Sequence, residues 1–140
     1  MIVADVNLIS YFWIQGEYSD IAEKVYLKDP LWISVPLWKS EFRNVLAGYL
    51  RKNLLSLELA AEVIQKAENQ LKNNEYGVSS VEVLRLIGKS KCSAYDCEYV
   101  ALAEYFGVKC VTSDKMILNQ FPDNTVSFRE FAEKAGHRFH

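Results

Sequence analysis

This chain has little cysteine in any usable pattern, little histidine and little surplus charge. Cys92, Cys97 and Cys110 are an odd number without a Cys-x-x-Cys pair, and the two histidines, His137 and His140, both stand at the C-terminus. A zinc centre takes about four such ligands at tight spacing, so the cysteines read as reduced structural thiols and the histidines as a tail. No apolar run approaches the ~18 residues of a membrane span, and the first basic residue is Lys24, which leaves no charged region of the secretory kind before it. A cytoplasmic, membrane-free protein is the expectation. Lys and Arg total 16 against 18 Asp and Glu, a formal charge of -2. Domains that hold nucleic acid by neutralising phosphates carry a basic excess, so any such contact here is expected to be local and transient.

What is present is an ordinary core. Half of the 140 residues are hydrophobic, and a chain of ~150 residues buries roughly 68–70% of its unfolded surface without disulfide or metal staples. No repeat, linker or low-complexity stretch divides it, so residues 1–140 read as a single domain. The apolar run Ile2 to Ala4, stopped by Asp5, reads as a buried strand, and Asn7 opens a short helix. A helix over Ser19 to Lys28 ends at Asp-Pro, and Leu31 to Val35 is a second strand candidate.

Pro36 suits the first turn of a long helix reaching Asn53, with Trp38, Phe42, Val45, Leu46, Tyr49 and Leu50 at helical spacing. Ser56 caps a partner helix to Asn73, which makes a helical hairpin. Ser79 to Gly88 favours a helix on length, and Ser93 to Phe106 is a clear helix closed by Gly107. Val108 to Thr112 is a strand, Lys115 to Gln120 a short helix, Thr125 to Ser127 a last strand and Phe128 to Lys134 a last helix. Strands alternating with helices predict an α/β fold, a parallel sheet with helices on its faces.

In such a sheet, ligands bind beyond the carboxyl ends of the strands. Asp5 and Asp114 stand at or just after two of those ends, Glu41 lies beside the apolar stripe of the long helix, and Asp96 lies in the first turn of the Ser93 helix. Each has a plainer reading: Ser93 and Asp96 fit a capping box, Asp114 fits a helix cap, and Glu41 fits a half-exposed helix position. Asp5 is harder to explain away, since a carboxylate closing an apolar strand needs a partner or a solvated cleft. If the four converge, their mutual repulsion raises their pKa values, and a divalent cation relieves it. Oxygen-only ligands select a hard ion such as Mg2+ or Mn2+, which activates water and stabilises charge at a phosphoryl centre.

The ordered set Ile2-Val3-Ala4-Asp5-Val6-Asn7, Ser40-Glu41-Phe42, Ser93-Ala94-Tyr95-Asp96-Cys97-Glu98-Tyr99-Val100-Ala101-Leu102-Ala103 and Val111-Thr112-Ser113-Asp114 resembles the PIN-domain ribonucleases, most closely the VapC-like toxins of toxin–antitoxin modules. Val126-Ser127-Phe128 with Phe131 is similar to that family's closing strand and helix. The resemblance implies a three-layer α/β/α PIN-like domain with a central, mostly parallel sheet of four to five strands. It implies a cytoplasmic Mg2+- or Mn2+-dependent endonuclease that hydrolyses single-stranded or structured RNA and leaves a 5′-phosphate. Asp5, Glu41, Asp96 and Asp114 are then metal ligands, direct or through water, with Asn7 and Thr112 as polar supports. Lys115, Met116, Ile117 and Leu118 follow Asp114 where some members carry a further acid, so no extra ligand for a second ion is offered.

Lys39, Arg43 and Lys115 lie near the motif acids and are candidate substrate contacts, each also readable as part of a solvated helix face. The resemblance further implies an antitoxin partner and a homodimer, with an exposed subset of Tyr11, Phe12, Trp13, Trp32 and Trp38 as the candidate docking surface. If four of the 18 acids occupy one metal pocket, the other 14 face 16 basic residues, and the rest of the chain carries +2.

Three other readings compete. A haloacid-dehalogenase-like phosphatase shares an Asp after the first strand, but carries a second Asp where this chain has Asn7, and a response-regulator receiver needs a phosphoacceptor and a late Lys that have no place here. A PIN fold kept as a binding or regulatory module without turnover is the third possibility, and the presence of all four acids weighs against it.

Overall fold

Three short apolar stretches, Ile2–Ala4 (β1), Trp32–Ile33 (β2) and Cys110–Val111 (β3), are buried residue by residue with no polar alternation. That is the pattern of strands covered on both faces by helices. In the computed structural model, which describes residues 1–134, they join Thr125–Val126 (β4) in one sheet of order β2-β1-β3-β4, parallel throughout. Val3 pairs with Ile33 on one side and with Cys110 on the other. Chain order thus reverses at β1, which places a switch point between the carboxyl ends of β1 and β3. The expected tail residues His137 and His140 lie outside the described residues.

Eight helices are found among the described residues: Val6–Trp13 (α1), Ser19–Lys28 (α2), Leu37–Arg51 (α3), Leu57–Leu71 (α4), Ser80–Gly88 (α5), Ala94–Phe106 (α6), Lys115–Gln120 (α7) and Phe128–Glu133 (α8). The architecture is the expected three-layer, PIN-like α/β arrangement. Most starts are set by local chemistry. The hydroxyls of Ser56, Ser79, Ser93 and Ser127 each accept the amide three residues on, satisfying a donor that the helix leaves orphaned. Gly107, at φ 66°, closes α6, because a residue in the left-handed region costs least as glycine.

Three strands are shorter than the sequence predicts, the last losing only Ser127, which caps α8. Of Leu31 to Val35 only Trp32–Ile33 pairs with β1; Ser34 turns its backbone to Asn74 and Tyr76, and its hydroxyl donates to the Ala4 carbonyl at 2.8 Å. Of Val108 to Thr112 only Cys110–Val111 remains, since the Val108 amide is used to close α6 on Ala103 and Thr112 turns its hydroxyl to Asp5.

The main core gathers around the fully buried Trp32, Trp38 and Phe42. The early aromatics do not form an exposed surface. Phe12 packs on Trp13, Tyr26 and Trp32, and Tyr11 packs on Tyr18 and Phe128. All three indole N–H groups have buried or half-buried acceptors, in Gln70, the Asp29 carbonyl and Glu75, as aromatic burial requires. The exposed rings lie elsewhere, at Tyr18, Tyr76, Tyr95 and Tyr105.

A second, smaller core of Val83, Leu86, Cys92, Cys97, Val100, Ala101, Ile117 and Phe121 ties α5, α6 and α7 together. It fixes the starts of α6 and α7, the segments that carry Asp96 and Asp114. The three cysteines are free and buried, and burial pushes the Cys92 thiol up to about 11, with Asp96, Cys97 and Asp114 adding to it. They are protonated packing groups, as expected. Among the described residues no helix is long and apolar enough to cross a membrane.

Candidate active site

Asp5 ends β1 and caps α1, so one of its oxygens, Oδ1, accepts the Leu8 amide at 3.0 Å. Its other oxygen accepts the Thr112 hydroxyl, and Thr112 in turn accepts the Asp114 amide at 3.0 Å. A single threonine thereby links the ends of β1 and β3. Asp114 caps α7, its Oδ1 accepting the amides of Met116 and Ile117 at 2.9 and 3.0 Å. Asp96 closes a capping box with Ser93. The plain capping readings of Asp96 and Asp114 therefore hold, and Asp5 is a cap as well.

Capping does not exhaust these groups. A carboxylate offers about four lone-pair sites, and among the described residues Glu41 Oε2, Asp96 Oδ1 and Asp114 Oδ2 take no protein hydrogen bond. The caps clamp one oxygen of Asp96 and of Asp114 and leave the other open. The helix starts also favour negative charge there.

Electrostatics couples the set. Asp5 is only 4% exposed, and its carboxyl is pushed up to about 7 by burial, against the hydrogen bonds from Thr112 and Leu8, with the charges of Asp114 and Glu41 adding to the rise. Glu41 is raised by burial and by Asp96, partly offset by a hydrogen bond from Tyr99. Asp5 thus feels the charges of Asp114 and Glu41, and Glu41 that of Asp96, each as a smaller contribution than burial. Among the described residues none of the four has an ion-pair partner within 4.0 Å.

The supporting and basic residues divide. Thr112 is bound to Asp5, whereas Asn7, half-buried in the first turn of α1, supplies neither of the hydrogen bonds that Asp5 accepts. Lys39 is turned to α4 by an ion pair with Glu68 at 3.8 Å, and Arg43 is exposed on α3, two residues from Glu41 and so on another side of the helix. Lys115 is exposed beside Asp114.

Two residues that the sequence pattern does not mark out join this set. Tyr99, 3% exposed, donates its hydroxyl to Glu41 Oε1 at 2.5 Å and joins α6 to α3. Burial and the Glu41 carboxylate raise its pKa, so the phenol stays a donor. Its one signal in the sequence is its place three residues after Asp96, on the same side of the helix. Glu98, raised by burial and by Glu41, is a fifth acid within reach of that field.

The chain is 27% identical over 124 residues to "Ribonuclease VapC3" of Pyrobaculum aerophilum, a match covering 86% of this chain and 95% of that one. The chain is thus similar in sequence to a VapC ribonuclease. Its fold matches the crystal structure of PAE2754 from Pyrobaculum aerophilum with a TM-score of 0.76 at 18% identity, covering 98% of this chain and 90% of that one. No family model matches it.

The donor chemistry at this site suits a hard divalent cation: oxygen only, carboxylate-rich, with open lone pairs and no competing base. Among the described residues no three His, Cys, Asp or Glu side chains are grouped to hold one ion by direct contact. The fit is to an ion that keeps several waters and touches one or two carboxylates, the habit of Mg2+.

Proposed function

We propose that this chain is a divalent-metal-dependent ribonuclease, an endonuclease hydrolysing RNA phosphodiester bonds, and the toxin of a toxin–antitoxin pair. The observation that carries this reading is the coupled, cation-free set of Asp5, Glu41, Asp96 and Asp114 at the switch point of the sheet. The related protein's description as a VapC ribonuclease supports it. Residues 1–140 are read as one nuclease domain.

Mg2+ or Mn2+ would be held by these four side chains, directly or through water, and when bound supplies a Lewis acid that activates water and stabilises charge at phosphorus. The protein's own residues do the positioning. Thr112 holds Asp5 and the Asp114 backbone in one frame, Tyr99 fixes Glu41, and the helix caps fix Asp96 and Asp114. Lys115 is the candidate basic contact best placed beside the acids, with Lys39 and Arg43 on other parts of α3.

An antitoxin protein and a second copy of the chain are the proposed partners, with a cytoplasmic place of action. The exposed Val81 and Leu84 of α5 and Tyr105 of α6 offer apolar area for a protein contact. The phosphatase alternative fares worse: a nucleophilic aspartate must be open to substrate, and both oxygens of the buried Asp5 are engaged.

Purified protein incubated with RNA and Mg2+ or Mn2+ tests the reading. Cleavage is expected, blocked by EDTA, with Asp96→Asn reducing the rate more than ~100-fold, beyond the ~10–100-fold typical of groups that only support a ligand. Cleavage in EDTA, or full activity in the variant, contradicts the mechanism. Binding of RNA without cleavage under any metal condition favours the silent-module reading.

A further inference from the structure

Beside the acids runs an open groove of about 430 Å³, lined by Val6, Leu37, Ser40, Glu41, Asn44, Val45 and Tyr95. It is built from three elements that the fold brings together: the first residue of α1, one face of α3 and the first turn of α6. Positions 37, 40, 41, 44 and 45 recur at helical spacing, so this face of α3 is a stripe of its own, distinct from the side on which Lys39 meets Glu68. Glu41 belongs both to this groove and to the acid set. Tyr95 immediately precedes Asp96 and is 60% exposed, a large ring held in the open at the start of a helix fixed by a capping box.

The composition of the walls narrows the occupant. Val6, Leu37 and Val45 are apolar, Ser40 and Asn44 each donate and accept hydrogen bonds, and Glu41 is the sole charge among the lining residues. A phosphate finds no cation here. A flat, uncharged ring with donors and acceptors on its edge finds an aromatic face, apolar sides and two bifunctional polar groups. Bases splayed from single-stranded RNA are recognised in this way, by stacking on aromatic side chains and by hydrogen bonds to their edges.

We propose that this groove is a nucleobase subsite, in which Tyr95 stacks on one unpaired base of single-stranded RNA while Asn44 and Ser40 contact its edge. The proposal rests on the ribonuclease reading and deepens it by naming the residues that hold one unpaired base next to the reacting phosphate. Tyr95 acts on binding and on selection among RNAs. Asn44 discriminates among bases, because an amide pairs differently with donor and acceptor edges.

The test uses 5′-fluorescein-labelled single-stranded RNA 12-mers of randomised sequence, with the same RNA annealed to its complement for comparison. Binding is read by anisotropy with Ca2+ in place of Mg2+, and RNA integrity by gel. Tyr95→Ala is expected to weaken single-strand binding ~5-fold or more, the scale of one base–aromatic stack. Tyr95→Phe, which keeps the ring, recovers most of that loss, and the annealed duplex binds less well than the single strand. Circular dichroism verifies folding, which substitution at so exposed a position leaves intact.

Unchanged affinity in Tyr95→Ala, an equal loss in Tyr95→Phe, or failure of the wild-type protein to bind the single strand overturns the proposal. Cleavage in Mn2+ is scored separately. A Tyr95-dependent binding loss without any cleavage supports the subsite and removes the nuclease reading, and cleavage indifferent to Tyr95 does the reverse.

Discussion

The two ends of β1 treat their acids in opposite ways. At the amino end Asp29 meets the N-terminal ammonium of Met1 at 2.6 Å and is neutralised within the fold. At the carboxyl end Asp5 is buried, meets only hydrogen-bond donors, and is pushed up to about 7 with two further acids contributing. The acids Glu82 and Glu104 likewise share Arg85. Asp29, Glu82 and Glu104 each meet a cation that the chain itself supplies. At the switch point Asp5 has none, and its burial is left without an ion pair among the described residues.

The largest consequence of that difference is thermodynamic. Asp5 ionises at about 7 in the fold against 3.8 as a free carboxyl. Below pH 3.8 it is protonated in both states and contributes nothing. As pH rises from there to 7, the unfolded chain sheds a proton that the folded one keeps, so stability falls. Above pH 7 the full cost stands at up to ~4 kcal/mol, since each tenfold weakening of the acid costs ~1.4 kcal/mol. Asp5→Asn removes the charge, so in EDTA at pH 8 the variant should be more stable than wild type to urea. The gain should shrink toward zero at pH 4, and a variant less stable than wild type at pH 8 removes the distinction between the two ends.

Next in size is Tyr99→Phe, which keeps the packing of α6 and removes only the donor to Glu41. Metal affinity measured by titration should fall ~10–100-fold, as for other groups that orient a ligand, while thermal stability changes little. The smallest effect belongs to the self-neutralised acids. Arg85→Ala breaks the contacts to Glu82 and Glu104, yet exposed pairs contribute only ~0.2–1 kcal/mol, and RNA cleavage should be unchanged.

Much of this is legible in the sequence because it is local. Ser56, Ser79 and Ser93 announce their helices, Gly107 announces the end of one, and Asp5 and Asp114 announce carboxyl ends of strands. What stays hidden depends on distant partners. The second strand stops short because Ser34 finds Asn74 and Tyr76, and Lys39 is drawn off by Glu68. Tyr99 reads as one more core aromatic until Glu41 is seen beside it, and the openness of Tyr95 is set by the space left between α1, α3 and α6. In the sequence, capping and metal binding stand as rivals for Asp96 and Asp114, whereas the geometry lets one carboxylate do both, one oxygen for the helix and one left open.

The central claim is that the four carboxylates at the switch point lack an internal cation because an external one completes them. Calorimetric titration of Mn2+ into the protein at pH 7.5, for wild type and Asp5→Asn, addresses it most directly. Saturable binding is expected in the wild type, with affinity at least ~10-fold weaker in the variant. Absence of saturable binding to the wild type, or equal affinity in the two proteins, contradicts it.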